Sequence, residues 1–326
     1  MAVLSKVMAP SDANLAGNVH GGTTMALMED AAWIVAARHS RMTAVSASID
    51  KVTFLNPLYI GHLATARARL NFVSKHSMEV EVAVYGEDHV TGETHLCNRA
   101  FLTYVAAQPE EKSVSKALTK VKIAEIPSMV LTSDEEKQRH EEGMARYQER
   151  LDERTGMRMR VQKNVERLTE LIKTHENIVT QLTHVPLPGE ATSSGVVFGG
   201  VIFKLVDTAA GVCAFRHCRT NVVTVMMERM DLLSPVRLGD LVTLTAVPTF
   251  ASSKSLEIAV VVTTENARSG NKTLTGFSRL VFVSLNEKGR PIDIKPLEVK
   301  TDEQREWFEQ GKKRYEARRN ARSANK

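Results

Sequence analysis

Cysteine is scarce: Cys97, Cys213 and Cys218 are the only three in 326 residues. Three cysteines cannot form a closed disulfide set, and none has the histidine spacing of a zinc site. Reduced thiols, an intracellular setting and no bound metal are therefore expected. Aromatic residues are also few, at 5%, which argues against a stacking surface for single-stranded nucleic acid. No stretch approaches the roughly 18 consecutive apolar residues of a membrane helix. The opening MAVLSKVMAPSDAN lacks the apolar core and small-residue cleavage site of a secretory signal, so a cytoplasmic protein away from membranes is expected. Excess charge is missing from most of the chain as well. The formal net charge is +5, but the last sixteen residues, GKKRYEARRNARSANK, hold seven Lys/Arg against one Glu. The remainder is close to neutral, which speaks against a nucleic-acid partner, and the basic terminus reads as a solvated helix end.

What the chain does have is a second copy of itself. GNVHGGTTMALMEDAAWIVAARH from Gly17 aligns without a gap on GVVFGGVIFKLVDTAAGVCAFRH from Gly195, 178 residues on, and 29 of the 89 pairs between 17–105 and 195–283 are identical. Shared residues include Gly21/Gly199, Gly22/Gly200, Arg38/Arg216, Ser77/Ser255 and Glu79/Glu257. So long a period means tandem domains, not the 20–50-residue units of a solenoid. A second echo has a shorter offset: DEEKQRHEEGMARYQER from Asp134 matches DEQREWFEQGKKRYEAR from Asp302, 168 residues on. Each domain then ends in a charged helix, with about ten extra residues ahead of the first. The expected domains are 1–108 and 176–295, with a charged helical linker at 109–175 and a charged helix with a basic tail at 296–326.

Within each copy, a short strand leads to a loop, a helix opening at the Gly-Gly pair, and four strand-like runs. SMEVEVAVYGED alternates as a half-buried strand should, and TGET and SGNK mark hairpins. The helix is apolar nearly all round and so belongs in a core. The expected fold class is α+β: in each copy, an antiparallel sheet wrapped around one long central helix.

Asp207 is the anomaly, a carboxylate two turns into that apolar helix, where burial is costly unless the group is paired or kept for chemistry. Its counterpart is Glu29. Asn18, before the first helix, is matched by Val196, and His20 is matched by Phe198, which makes His20 read as mainly structural. Four residues beyond Asp207 stands Gly211; four beyond Glu29 stands Trp33, which reads either as filling the space that Gly211 leaves open or as an ordinary core residue facing elsewhere.

NVHGGTTMALMED and FGGVIFKLVD resemble the Asn-x-His-Gly-Gly and Gly-Gly-x(6)-Asp motifs of hot-dog-fold acyl-CoA thioesterases, and the resemblance covers most of the chain. It implies two hot-dog domains with their helices side by side and an active site at their interface, taking an Asn from one domain and an Asp from the other. Asn18 and Asp207 would complete one site. The reciprocal pair, Val196 and Glu29, would be a decayed one. Asp207 would act as general base, a backbone N–H of Gly21 or Gly22 would polarise the thioester carbonyl, Asn18 would orient water or thioester, and Thr224 would partner Asp207. Coenzyme A would be part of the substrate, with no separate cofactor. Its phosphates would meet the equivalent loops at Lys75, His76 and Ser77 and at Lys254 and Ser255, or Arg38 and Arg216. The resemblance further implies a homotrimer of two-domain chains. A hot-dog hydratase or dehydratase is the nearest rival, although no Asp here has the Asp-x(4)-His partner such enzymes use. A non-catalytic acyl-CoA sensor is the rival from another class.

Overall fold

A computed structural model of the chain describes residues 1–14, 16–109, 121–154, 162, 165–168, 171–172 and 179–324. In the first half, β1 (Ala2–Val7) precedes α1 (Gly21–Ser40), which is followed by β2 (Thr43–Ile49), β3 (Val52–Phe54), β4 (Leu63–Val73), β5 (Ser77–Glu87), β6 (Thr94–Pro109) and the short β7 (Val121–Ile123). α2 (Asp134–Arg154) is the first charged helix. The second half repeats the order: β8 (Thr180–His184), α3 (Gly199–Cys218), β9 (Asn221–Met227), β10 (Met230–Leu232), β11 (Asp240–Ala251), β12 (Ser255–Asn266), β13 (Lys272–Leu285), and the charged helix α4 (Asp302–Ala324).

All strand pairings are antiparallel, and one continuous sheet runs β1-β4-β5-β6-β2-β10-β13-β12-β11-β8. The halves join where β2 pairs β10 (Ser48 opposite Asp231) and β3 pairs β9 (Thr53 opposite Met226). The two joints are equivalent under the 178-residue offset, so the molecule has a pseudo-two-fold axis between them. α1 and α3 lie against each other in the core, each packed on the inner face of its own strands. The α+β architecture expected from the repeat is the one observed.

The outer face departs from expectation. β5 is buried almost end to end, not on alternate residues, because α2 covers its outward side. There Glu79, 1% exposed, accepts from Arg146 (2.7 Å) and Arg150 (2.8 Å). In the second half Glu257 accepts from Arg314 (2.6 Å) and Arg318 (3.2 Å) of α4. Burial pushes the Glu257 carboxyl up, but the Arg314 and Arg318 guanidiniums outweigh it and hold the group below its ordinary value. Phe250 packs on Phe308 and Tyr315 of α4 with centroids 5.0 and 5.6 Å away. The basic terminus is therefore not merely a solvated helix end: its Arg314, Tyr315 and Arg318 dock the helix onto the sheet. The linker region also begins with β7 and an extended segment, with Ile126 in the core, before any helix. The ten-residue insertion expected there falls largely on 110–120, and much of the connector beyond Arg154 likewise lies outside the described residues.

Candidate active site

The paired glycines set the helices' crossing. A Cβ on Gly22 would lie 2.7 Å from the Lys204 Cα in α3, and one on Gly200 would lie 2.9 Å from the Ala26 Cα in α1. Only glycine permits that approach. It places the start of each helix, with its unsatisfied N–H groups, against the middle of the other.

Asp207, in the third turn of α3, is 1% exposed and points at the start of α1. Its Oδ2 accepts the Gly22 N–H at 2.7 Å, and its Oδ1 accepts the Thr224 hydroxyl from β9 at 2.7 Å. His20, the N-cap of α1, puts Nδ1 at 3.2 Å from Asp207 Oδ2 and 3.1 Å from the Gly22 nitrogen. The Gly22 bond to the carboxylate is the shorter of its two. In the tautomer protonated at Nδ1, His20 gives Asp207 a third donor. These donors, two of them from the other half of the chain, are what make a buried carboxylate tenable. The Gly21 N–H, by contrast, has no partner among the described residues.

Two cavities meet at this point. One, of about 320 Å³, is lined by His20, Gly21, Asp207, Gly211, Phe215 and Phe282 among others. The second, of about 500 Å³, is bordered by Asn18, Asn56, Asn98, Asn221, Asn286, Glu287 and Lys288, with apolar residues among the rest. They share Asn14, Gly21 and Thr224. The Asn18 side chain makes no hydrogen bond among the described residues, while its backbone is fixed by a bridge to Tyr59 and by Asn14. No cluster of three or more His, Cys, Asp or Glu fit to hold a metal occurs among the described residues.

The equivalent place in the other half is built differently. Glu29 is fully buried, and Ser46, the counterpart of Thr224, donates to its Oε1 at 2.7 Å. Tyr104 donates to the same oxygen at 3.3 Å and to the Glu29 carbonyl at 3.1 Å. Burial pushes the Glu29 carboxyl up to about 7, against the Ser46 hydrogen bond. Its Oε2 makes no hydrogen bond of good geometry among the described residues, although the Gly200 backbone N–H at the start of α3 still lowers the carboxyl slightly. Trp33 stands edge-on to Phe198, centroids 5.3 Å apart, and donates its indole N–H to the Ala44 carbonyl.

The structure thus gathers Asn18, Gly21, Gly22, Asp207 and Thr224 around adjoining cavities, and adds His20, which had read as structural because Phe fills its place in the other copy. None of the seven residues expected at the coenzyme lines either cavity. Lys75 pairs with Glu125 (2.7 Å), and His76 bonds the Ala124 carbonyl (3.1 Å). Ser77 and Ser255 close their own turns on Ser74 and Ser252, each at 2.7 Å. Lys254 is exposed on the second of those turns, and Arg38 is exposed at the end of α1. Arg216 donates to the Val179 carbonyl at 2.6 Å. The larger of these two cavities is bordered instead by Lys288, in a turn that the internal repeat does not cover.

A helix held against an antiparallel sheet, twice over, with one carboxylate at the junction, is the arrangement of the hot-dog thioesterases. The thioesterase superfamily model matches residues 16–93 and 194–270, the segments holding α1 and α3. The chain is 35% identical over 326 residues to the cytosolic acyl coenzyme A thioester hydrolase of Rattus norvegicus, spanning 96% of this chain and 81% of that protein. It is 34% identical to the Homo sapiens protein of the same name, spanning 96% and 82%. Among solved structures, an apo-hexameric acyl-CoA thioesterase shares 30% identity at a TM-score of 0.42, covering 45% of this chain and 94% of that one. The chain belongs to the family of the cytosolic acyl coenzyme A thioester hydrolases.

Proposed function

We propose that this protein hydrolyses acyl-CoA thioesters at one site per chain, between its two halves. The observation that carries this reading is the buried Asp207 carboxylate of the second half, held by the Gly22 N–H of the first and opening onto a cavity. Thr224 and Gly22 fix the carboxylate, and Asp207 takes a proton from water as that water attacks the thioester carbonyl. The free Gly21 N–H, at the positive end of the α1 dipole, and the Asn18 amide stabilise the oxyanion. Collapse of the tetrahedral intermediate expels the CoA thiolate, which recovers a proton from the Asp207 carboxylic acid. Lys288 meets the coenzyme's phosphates. The cytosolic family members support a place in the cytosol, and the domain limits 1–108 and 176–295 and a homotrimeric assembly accompany this reading. Light scattering on the purified chain checks the assembly.

The test is thiol release from acyl-CoA by Asp207→Asn. A fall of at least about 100-fold in kcat/KM is expected from loss of a general base. A fall of less than about tenfold overturns the role. Acyl-CoA binding by the wild type without thiol release would instead mark a sensor.

A further inference from the structure

We propose that Gly211 determines the acyl-chain length this site accepts, by leaving a channel along α3 that starts at Asp207 and runs out past Phe215. This rests on the reading of Asp207 as the carboxylate at the reacting carbonyl. The smaller cavity is the one suited to a hydrocarbon: Gly211, Val212, Phe215, Val222 and Phe282 form its wall, and no Lys or Arg lines it. The larger cavity is the polar one: it carries the asparagines and Lys288 beside Glu287, a lining that suits the amides and charged groups of the coenzyme better than a hydrocarbon. With the thioester at their junction, the acyl chain enters the smaller one.

Residues 207, 211 and 215 follow one another at four-residue spacing, so they form one stripe of the helix, about 12 Å long at 1.5 Å per residue. Gly211 sits in the middle of that stripe and of the helix, where glycine weakens the element. No backbone contact requires it. A Cβ there would meet only Phe282 Cε1, at an ordinary 3.8 Å, whereas the glycines at the helix crossing are hemmed in below 3.0 Å. Its φ is not among the positive ones. What a larger residue would occupy is the cavity itself. The same helix position in the other half holds Trp33, packed on Phe198, so this fold accepts a large side chain there at the expense of the space. The far end of the channel is open: Val212 is 44% and Phe215 36% exposed. A chain longer than the channel can extend along that apolar rim.

The experiment compares kcat/KM for butyryl-CoA and palmitoyl-CoA in the wild type, Gly211→Ala and Gly211→Val. Each added methyl in such a pocket is worth a tenfold discrimination or more. The palmitoyl-to-butyryl ratio is expected to fall at least about tenfold in Gly211→Val, and in the same direction but less in Gly211→Ala, which has room for its methyl and melts no lower than the wild type. Should Gly211→Val fail to fold, the ratio for Gly211→Ala decides. An unchanged ratio, with both esters affected equally or not at all, overturns the proposal while leaving the role of Asp207 intact. Failure of that role shows separately, as retained thiol release by Asp207→Asn.

Discussion

The two pseudo-equivalent sites began from one pattern and differ at six positions. Around Asp207 stand Asn18, His20, Gly211, Thr224 and Phe282. Around Glu29 stand Val196, Phe198, Trp33, Ser46 and Tyr104. In the first set the carboxylate is fully bonded and faces space. In the second it is longer, is approached by a tyrosine hydroxyl, and has Trp33 and Phe198 packed on each other nearby. Both keep the hydroxyl from the following strand, at the same 2.7 Å. That hydroxyl and the helix crossing support a buried acid in either setting. The asparagine, the histidine and the room along the helix are what separate the proposed active site from its packed counterpart.

The comparison breaks most sharply at the acids themselves. Asp207→Asn is expected to lower kcat/KM by at least about 100-fold, whereas Glu29→Gln leaves it within about twofold of wild type. A large loss in Glu29→Gln, measured by the same thiol-release assay, would make the second site a working one.

Stability against pH reports on the same pair. The folded-state value of Glu29 lies above its ordinary 4.5, at about 7. The folded protein therefore binds more protons than the unfolded chain between those two values. Stability is greatest below pH 4.5 as far as this group is concerned, and falls as pH rises toward 7, by about 3 kcal/mol in all. Glu29→Gln removes that slope and raises the unfolding free energy at pH 8, which urea unfolding at pH 5 and 8 measures directly.

Trp33 offers a third test. Trp33→Gly leaves a void beside Phe198 and is expected to cost about 3 kcal/mol, the low end for a large aromatic because Trp33 is only partly buried. If Trp33 occupies the second acyl position, calorimetric stoichiometry for a non-hydrolysable acyl-CoA analogue rises from one toward two per chain; a value that stays at one assigns the tryptophan to ordinary packing. The smallest effect is expected at the shared hydroxyls. Ser46→Ala and Thr224→Ala each lose one hydrogen bond to a buried carboxylate, about 1–3 kcal/mol of stability, but only Thr224→Ala should also lower kcat.

Much of this contrast was legible before any coordinates. The ungapped repeat set the α+β layout, and the unmatched Asn18, Asp207 and Trp33 identified which copy to watch. Thr224 was reachable too, as a hydroxyl on the strand after the second helix. What stayed hidden depends on pairing between distant segments. His20 reads as mainly structural because Phe198 replaces it, yet substitution in a site that has lost its asparagine says nothing about the site that kept one. Glu79 and Glu257 stood out as identities without a stated role, since their partners Arg146, Arg150, Arg314 and Arg318 follow the other, 168-residue offset. The loops at Lys75 and Lys254 are basic and equivalent in the sequence, but neither borders the two cavities beside Asp207, while Lys288, which does, belongs to a turn outside the repeat.

The strand exchange at the centre of the sheet bears on how the site responds to dilution. β3 is paired with β9 and β10 with β2, so each half completes its sheet on the other, and Asp207 meets Gly22 only while the halves stay joined. Two separate copies would have to find each other, and the fraction of complete sites would drop as protein became scarce. With both on one chain the encounter is intramolecular, so the fraction of complete sites no longer depends on protein concentration. Covalent linkage also removes the constraint that identical subunits impose: a substitution in one copy no longer appears in both, so the surroundings of Asp207 and Glu29 are free to diverge as they have.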